Sequence, residues 1–117
     1  MKYLTIMLLS LGLLKAELSQ IVIDSTDNLI IDVYADWCGP CKKFSPIFEA
    51  VSKDSNMKEY RFEKANIDTD KLVAKQFKVS SVPTVLFIKK GKEVGREVGY
   101  MSKDTFASKI TQHFGNL

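Results

Sequence analysis

The sequence predicts an α/β domain: a central mixed β-sheet flanked by helices on both faces. Three observations predict it. Stretches with apolar residues at helical spacing alternate with short strand-like runs along the chain. One run, "LIIDVYA", is too short for a helix and almost wholly apolar, as a strand buried on both faces must be. Near the end, two strand-like runs flank a Lys-Gly turn signal and a helix follows. Such an order gives a sheet with helices layered over it. At 117 residues the chain makes one compact domain rather than two.

The elements follow in order. Residues 1–16, "MKYLTIMLLSLGLLKA", hold Lys2, an apolar run from Leu4 to Leu14, then Lys15-Ala16. That is the layout of a short secretory signal, whose apolar region spans about 7–15 residues. The run is too short for a stable membrane span, which takes about 20 residues. Leu14 and Lys15 fit poorly just before a cut, so the alternative is a first β-strand. Leucine dominates the run, whereas edge strands favour β-branched residues in alternation. Export is therefore the expectation, with residues 17–117 as the mature domain and a cytoplasmic protein as the alternative. Residues 17–25 place Leu18, Ile21 and Val22 on one helical face, and Thr26-Asp27-Asn28 turn the chain. Residues 29–35 form the buried strand. From Pro40 to about Lys53 a helix carries Phe44, Ile47, Phe48 and Val51 on its inner face. Proline suits its first turn, and Pro46 should kink it. Residues 60–67 form a second strand. Residues 69–77 form a short helix with Leu72, Val73 and Phe77 inward. Residues 84–90 and 93–99 make the hairpin. A last helix starts at Ser102 as N-cap, buries Phe106, Ile110 and Phe114, and stops at Gly115.

Composition narrows the function. The hydrophobic fraction is 45% and the net charge only +3, with lysines dispersed and no arginine-rich tract. Nucleic acid is not an expected partner. The two cysteines, Cys38 and Cys41, are the only ones in the chain. A tetrahedral zinc needs about four ligands. The lone histidine, His113, lies far away in the last helical turn, where it reads as a cation at a helix C-terminus. A structural staple is weak, because a disulfide around two intervening residues closes almost no loop. Reactivity fits best. Cys38 would stand at a helix N-terminus, just past the carboxyl end of a central strand, where open α/β sheets place their active sites. Unpaired N–H groups and the helix dipole there stabilise a thiolate. Cys41 lies one turn in, on the same side and more buried, placed to attack a mixed disulfide formed on Cys38.

"ADWCGPCK", residues 35–42, resembles the active-site motif of the thioredoxin family. The likeness covers about residues 18–114. Pro46 matches the family's helix-kinking proline, and Asp32 its buried aspartate. Within "KANID", Lys64 matches the lysine that pairs with that aspartate. Within "SVPT", Pro83 matches the cis-proline. Gly91 and Gly99 match the hairpin glycine and the glycine lining the substrate groove. Tyr34 departs from the family, standing where many members carry a second tryptophan. The family's first strand would fall within residues 8–14, which show no clean alternation.

The resemblance implies a thioredoxin fold and a monomeric thiol–disulfide oxidoreductase that reduces disulfide-bonded proteins. Cys38 is then the nucleophile, Cys41 the resolving thiol and Asp32 the general base for Cys41, with Lys64 as its partner. Trp37, Gly39, Pro40, Val82, Pro83 and Gly99 form the substrate-binding surface, with the Val82 backbone offered for strand-like pairing. No metal or bound cofactor is implied. A separate reductase recharges the pair: thioredoxin reductase in the cytosol, or a membrane thiol-electron carrier outside it. Gly39-Pro40 between the cysteines is similar to the reducing members. Two alternatives stand beside this: a thioredoxin-fold binding subunit that needs no thiol turnover, and a disulfide oxidase or isomerase.

Overall fold

The computed structural model describes residues 27–115. The sequence readings of a signal or strand in residues 1–16 and of a helix at 17–25 lie outside the described residues. Four strands form one sheet: β1 (Asn28–Tyr34), β2 (Arg61–Asn66), β3 (Thr84–Lys89) and β4 (Lys92–Val98). Their spatial order is β2-β1-β3-β4. β1 runs parallel to β2 and antiparallel to β3, and β3 is antiparallel to β4. The helices are α1 (Gly39–Ser52), α2 (Lys71–Gln76) and α3 (Lys103–Phe114), with a 3-10 turn at Ser55–Met57. None of the described helices is long and apolar enough to cross a membrane.

The alternation of side chains along β1 divides the core in two. Ile30 points to the face carrying α1 and α3, where it joins Phe44, Phe48, Val51, Val85, Phe87, Phe106, Ile110 and Phe114. Leu29, Ile31 and Val33 point to the other face and pack with Leu86, Ile88, Val73 and Val79. Both faces of β1 are thus dry, which explains why its sequence lacks polar alternation. Asp32 is the exception, fully buried on the α1 face.

Local signals set the boundaries. Ser102 caps α3, its hydroxyl accepting from the Thr105 N–H at 3.3 Å. Lys90 and Gly91 both have positive φ, 52° and 77°, the pattern of a two-residue type I′ turn. α1 runs on through Pro46, which is exposed. α2 is shorter than the sequence suggests, and Leu72 does not point inward: it is 53% exposed. Six residues make under two turns, so α2 buries a single residue, Val73, with Phe77 half-buried just past its end. His113 lies in the last turn of α3, as expected, with its side chain mostly covered. Its ring stacks on Phe87 with centroids 4.5 Å apart, and Nε2 lies 3.6 Å from a Glu97 oxygen. Gly95 makes room for it, since a Cβ there would drive into the imidazole.

Candidate active site

The chain leaves β1 at Tyr34 and turns through 35–38 before α1 begins. The Cys38 N–H donates to the Ala35 carbonyl at 3.2 Å, which closes this turn. Cys38 is the N-cap of α1, and its Sγ accepts the Cys41 N–H at 3.2 Å. Pro40 lies in the first turn, where a missing N–H costs nothing. Cys38 and Cys41 form a disulfide, with Cα atoms 5.2 Å apart. The residues are almost equally covered, 5% and 3% exposed, so burial alone does not separate their roles as the sequence suggested. Their positions differ: Cys38 caps the helix, and Cys41 sits within its first turn. Ala35 completes their apolar setting, with Tyr34, Ile67 and Val82 packed against it.

A second loop holds the first in place. Trp37 donates its indole N–H to Asp68 Oδ2 at 2.9 Å, yet 70% of the residue remains exposed. The Asn66 side-chain amide reaches Asp36 at 3.3 Å, while Asn66 Oδ1 accepts the Asp68 N–H at 2.9 Å. Asp70 accepts the Asn66 backbone N–H at 2.8 Å, and the Ile67 N–H donates to the Tyr34 carbonyl at 2.8 Å. Sequence reasoning passed over Asn66, Asp68 and Asp70 as site residues. Their signal was a cluster of turn-forming residues directly after a strand.

The Val82–Pro83 peptide is cis. Thr84, buried, donates its hydroxyl to the Ser81 carbonyl at 2.7 Å. The Gly99 N–H donates to the Pro83 carbonyl at 2.8 Å, with Gly99 at φ +97°, a conformation glycine adopts without strain. Pro83 is buried, Val82 and Gly99 are half-buried, and Gly39 and Pro40 are exposed. Val98 and Tyr100, on either side of Gly99, are 63% and 52% exposed and were not foreseen from the sequence.

Asp32 lies in β1 below this loop. Burial pushes its carboxyl up to about 6 from 3.8, and the charge of Lys64, the smaller cause, pulls the other way. Neither carboxyl oxygen has a hydrogen-bond partner. Lys64 is the register neighbour of Asp32 on β2. Lys64 acts on Asp32 through its charge and makes no hydrogen bond to it. Lys64 Nζ instead donates to Ser45 Oγ and lies 4.9 Å above the Tyr34 ring.

The family model described as thioredoxin matches residues 10–112. The thioredoxin of Mycoplasmoides gallisepticum is 37% identical over 90 residues, 77% of this chain and 87% of that protein. The thioredoxin of Chlamydia caviae is 40% identical over 89 residues, 76% of this chain and 85% of its own. Among solved structures, Fasciola hepatica thioredoxin superposes with a TM-score of 0.68 at 34% identity, covering 76% of this chain and 84% of that one. The chain, with its Cys38–Cys41 disulfide, belongs to the thioredoxin family as a thiol–disulfide oxidoreductase that reduces protein disulfides.

Proposed function

We propose that Cys38 attacks, Cys41 resolves and Asp32 exchanges the proton of Cys41. The observation that carries this reading is the seat of Cys38 Sγ at the N-cap of α1, accepting a backbone N–H. A thiolate there gains from that N–H and from the helix dipole. In the reduced protein, Cys38 attacks one sulfur of a substrate disulfide. A Cys38–substrate bond forms, the substrate S–S bond breaks, and the first substrate sulfur leaves as a thiolate that takes up a proton. Cys41 then gives its proton to Asp32 and attacks Cys38 Sγ. The mixed disulfide breaks, the second substrate sulfur leaves as a thiolate that takes up a proton, and two electrons have passed to the substrate. The proton passes between Cys41 and Asp32 through an intervening water.

The exposed Trp37, Gly39 and Pro40 give the partner an apolar platform, extended by Val98 and Tyr100. Val82, packed beside the disulfide just before β3, offers its backbone to an extended substrate segment. Pro83 and Gly99 shape that edge from behind. The Cys38–Cys41 disulfide left after each turnover is recharged by a separate reductase. The single-turnover test is direct. The protein is reduced with a small dithiol, freed of it, and mixed with excess disulfide-bonded protein. One substrate disulfide opens per chain, and Cys38–Cys41 closes. A substrate that gains no thiols would sink the reading.

For location we infer export, with cleavage near Ala16 and a mature start close to Glu17. Support comes from Lys2 and the leucine-dominated run to Leu14. A membrane thiol-electron carrier would then supply electrons, as an oxidising compartment demands. The competing reading, a first strand in a cytoplasmic protein, draws on the family match, which begins at residue 10 inside that run. Intact-mass measurement of protein from its native host separates them. Export predicts a chain beginning near Glu17, and a full-length mass in the cytosolic fraction would overturn it.

A further inference from the structure

The buried carboxyl of Asp32 has a cation as its register neighbour and is nevertheless unpartnered. Residues paired across two strands point to the same face, so an extended lysine on β2 is within reach of Asp32. Two groups take the ammonium instead. Ser45, one turn beyond Cys41 on α1, accepts its hydrogen bond. The Tyr34 ring, two residues beyond Asp32 on the same face of β1, lies beneath it at 4.9 Å, a cation–π contact.

We propose that Ser45 and Tyr34 are positioning residues that hold the Lys64 ammonium off Asp32, leaving that carboxyl free to exchange a proton with Cys41. The inference rests on the proton role of Asp32 given above. An ammonium bonded directly to the carboxylate would favour its charged form and make it a poorer proton acceptor at neutral pH. The other groups around Asp32 do not supply such a charge. Val85 of β3, its neighbour on the second side, is apolar. Beyond it on β4, Glu97 is engaged by Lys109 at 3.0 Å and by His113 at 3.6 Å, both from α3. From α1 come Cys38 and Cys41, joined as a disulfide, while Lys42 and Lys43 are exposed to solvent.

Ser45→Ala removes the acceptor and releases the ammonium towards Asp32. The readout is the titration of the Asp32 carboxyl, followed by carbon-13 NMR of the oxidised protein, beside the pH profile of mixed-disulfide resolution. In Ser45→Ala the Asp32 midpoint falls by about one pH unit, the low end of what a nearby opposite charge does. Ser45→Thr, which keeps a hydroxyl, stays near the parent. In a Lys64→Met background, Ser45→Ala moves nothing. An unmoved midpoint in Ser45→Ala, or an equal fall with Lys64 replaced, overturns the proposal. A midpoint that falls while the resolution profile stays fixed upholds the positioning and instead removes Asp32 from proton transfer.

Discussion

Replacing Cys38 by Ser takes disulfide reduction to background, whereas replacing Cys41 by Ser leaves an enzyme that attacks once and stalls. The difference follows from the helix terminus. Cys38 Sγ already accepts the Cys41 N–H in the oxidised form. When the disulfide opens, the same N–H and the positive end of α1 remain to favour a Cys38 thiolate. Its neighbours Trp37, Gly39 and Pro40 are exposed, so an incoming disulfide reaches the chain there. Cys41 inherits the second step because it lies one turn along the same helix. Neither substitution threatens the fold, since a disulfide enclosing two residues restrains the unfolded chain little. Each variant is mixed with a disulfide-bonded protein and run on non-reducing gels, with mass spectrometry to locate the linkage. Adducts accumulate on Cys41→Ser through Cys38. Adducts on Cys38→Ser, or none on Cys41→Ser, reverse the assignment of nucleophile and resolver.

Much of this site was legible in the sequence because its signals are local. The strand at 28–34, the helix opened by Pro40 and the hairpin at Lys90-Gly91 each follow from periodicity, a proline or a turn. The Cys-x-x-Cys spacing carries its own chemistry. Long-range hydrogen bonds leave no such trace. The Trp37–Asp68 bond joins residues 31 apart, and nothing near either residue announces it. Lys64 illustrates the same limit. Its register beside Asp32 follows from the parallel pairing, but its side chain answers to Ser45 on another element. Leu72 failed for a different reason. Helical spacing presumes a helix long enough to have a buried stripe, and α2 ends after six residues. The register shift between Phe87 and Ile88 was equally unreadable, since a bulge depends on both strands at once.

Asp32→Asn separates what the carboxyl costs the fold from what it gives the chemistry. Asp32 titrates at about 6 in the folded protein against 3.8 as the ordinary value. The folded state therefore binds the proton more tightly than the unfolded one. The contribution of Asp32 to stability is greatest below about pH 4, falls as pH rises towards 6, and is flat above that. At about 1.4 kcal/mol per pKa unit, the ionised carboxyl costs the fold about 3 kcal/mol at neutral pH. Asparagine keeps the shape without the charge, so Asp32→Asn gains stability at pH 7 by an amount up to that figure and loses the decline between pH 4 and 6. Denaturant unfolding across this range measures both. The chemistry moves the other way. Resolution by Cys41 in the parent protein accelerates as Asp32 ionises through about pH 6, and in the variant it is slower and lacks that inflection. General-base catalysis contributes about 10²–10⁴-fold, so the loss at pH 7 falls at or below the lower end of that range if water partly substitutes as base. Trp37, the single tryptophan and adjacent to Cys38, reports the step by stopped-flow fluorescence. An unchanged resolution rate across neutral pH, together with the gain in stability, would leave Asp32 a burden on the fold without a part in the reaction.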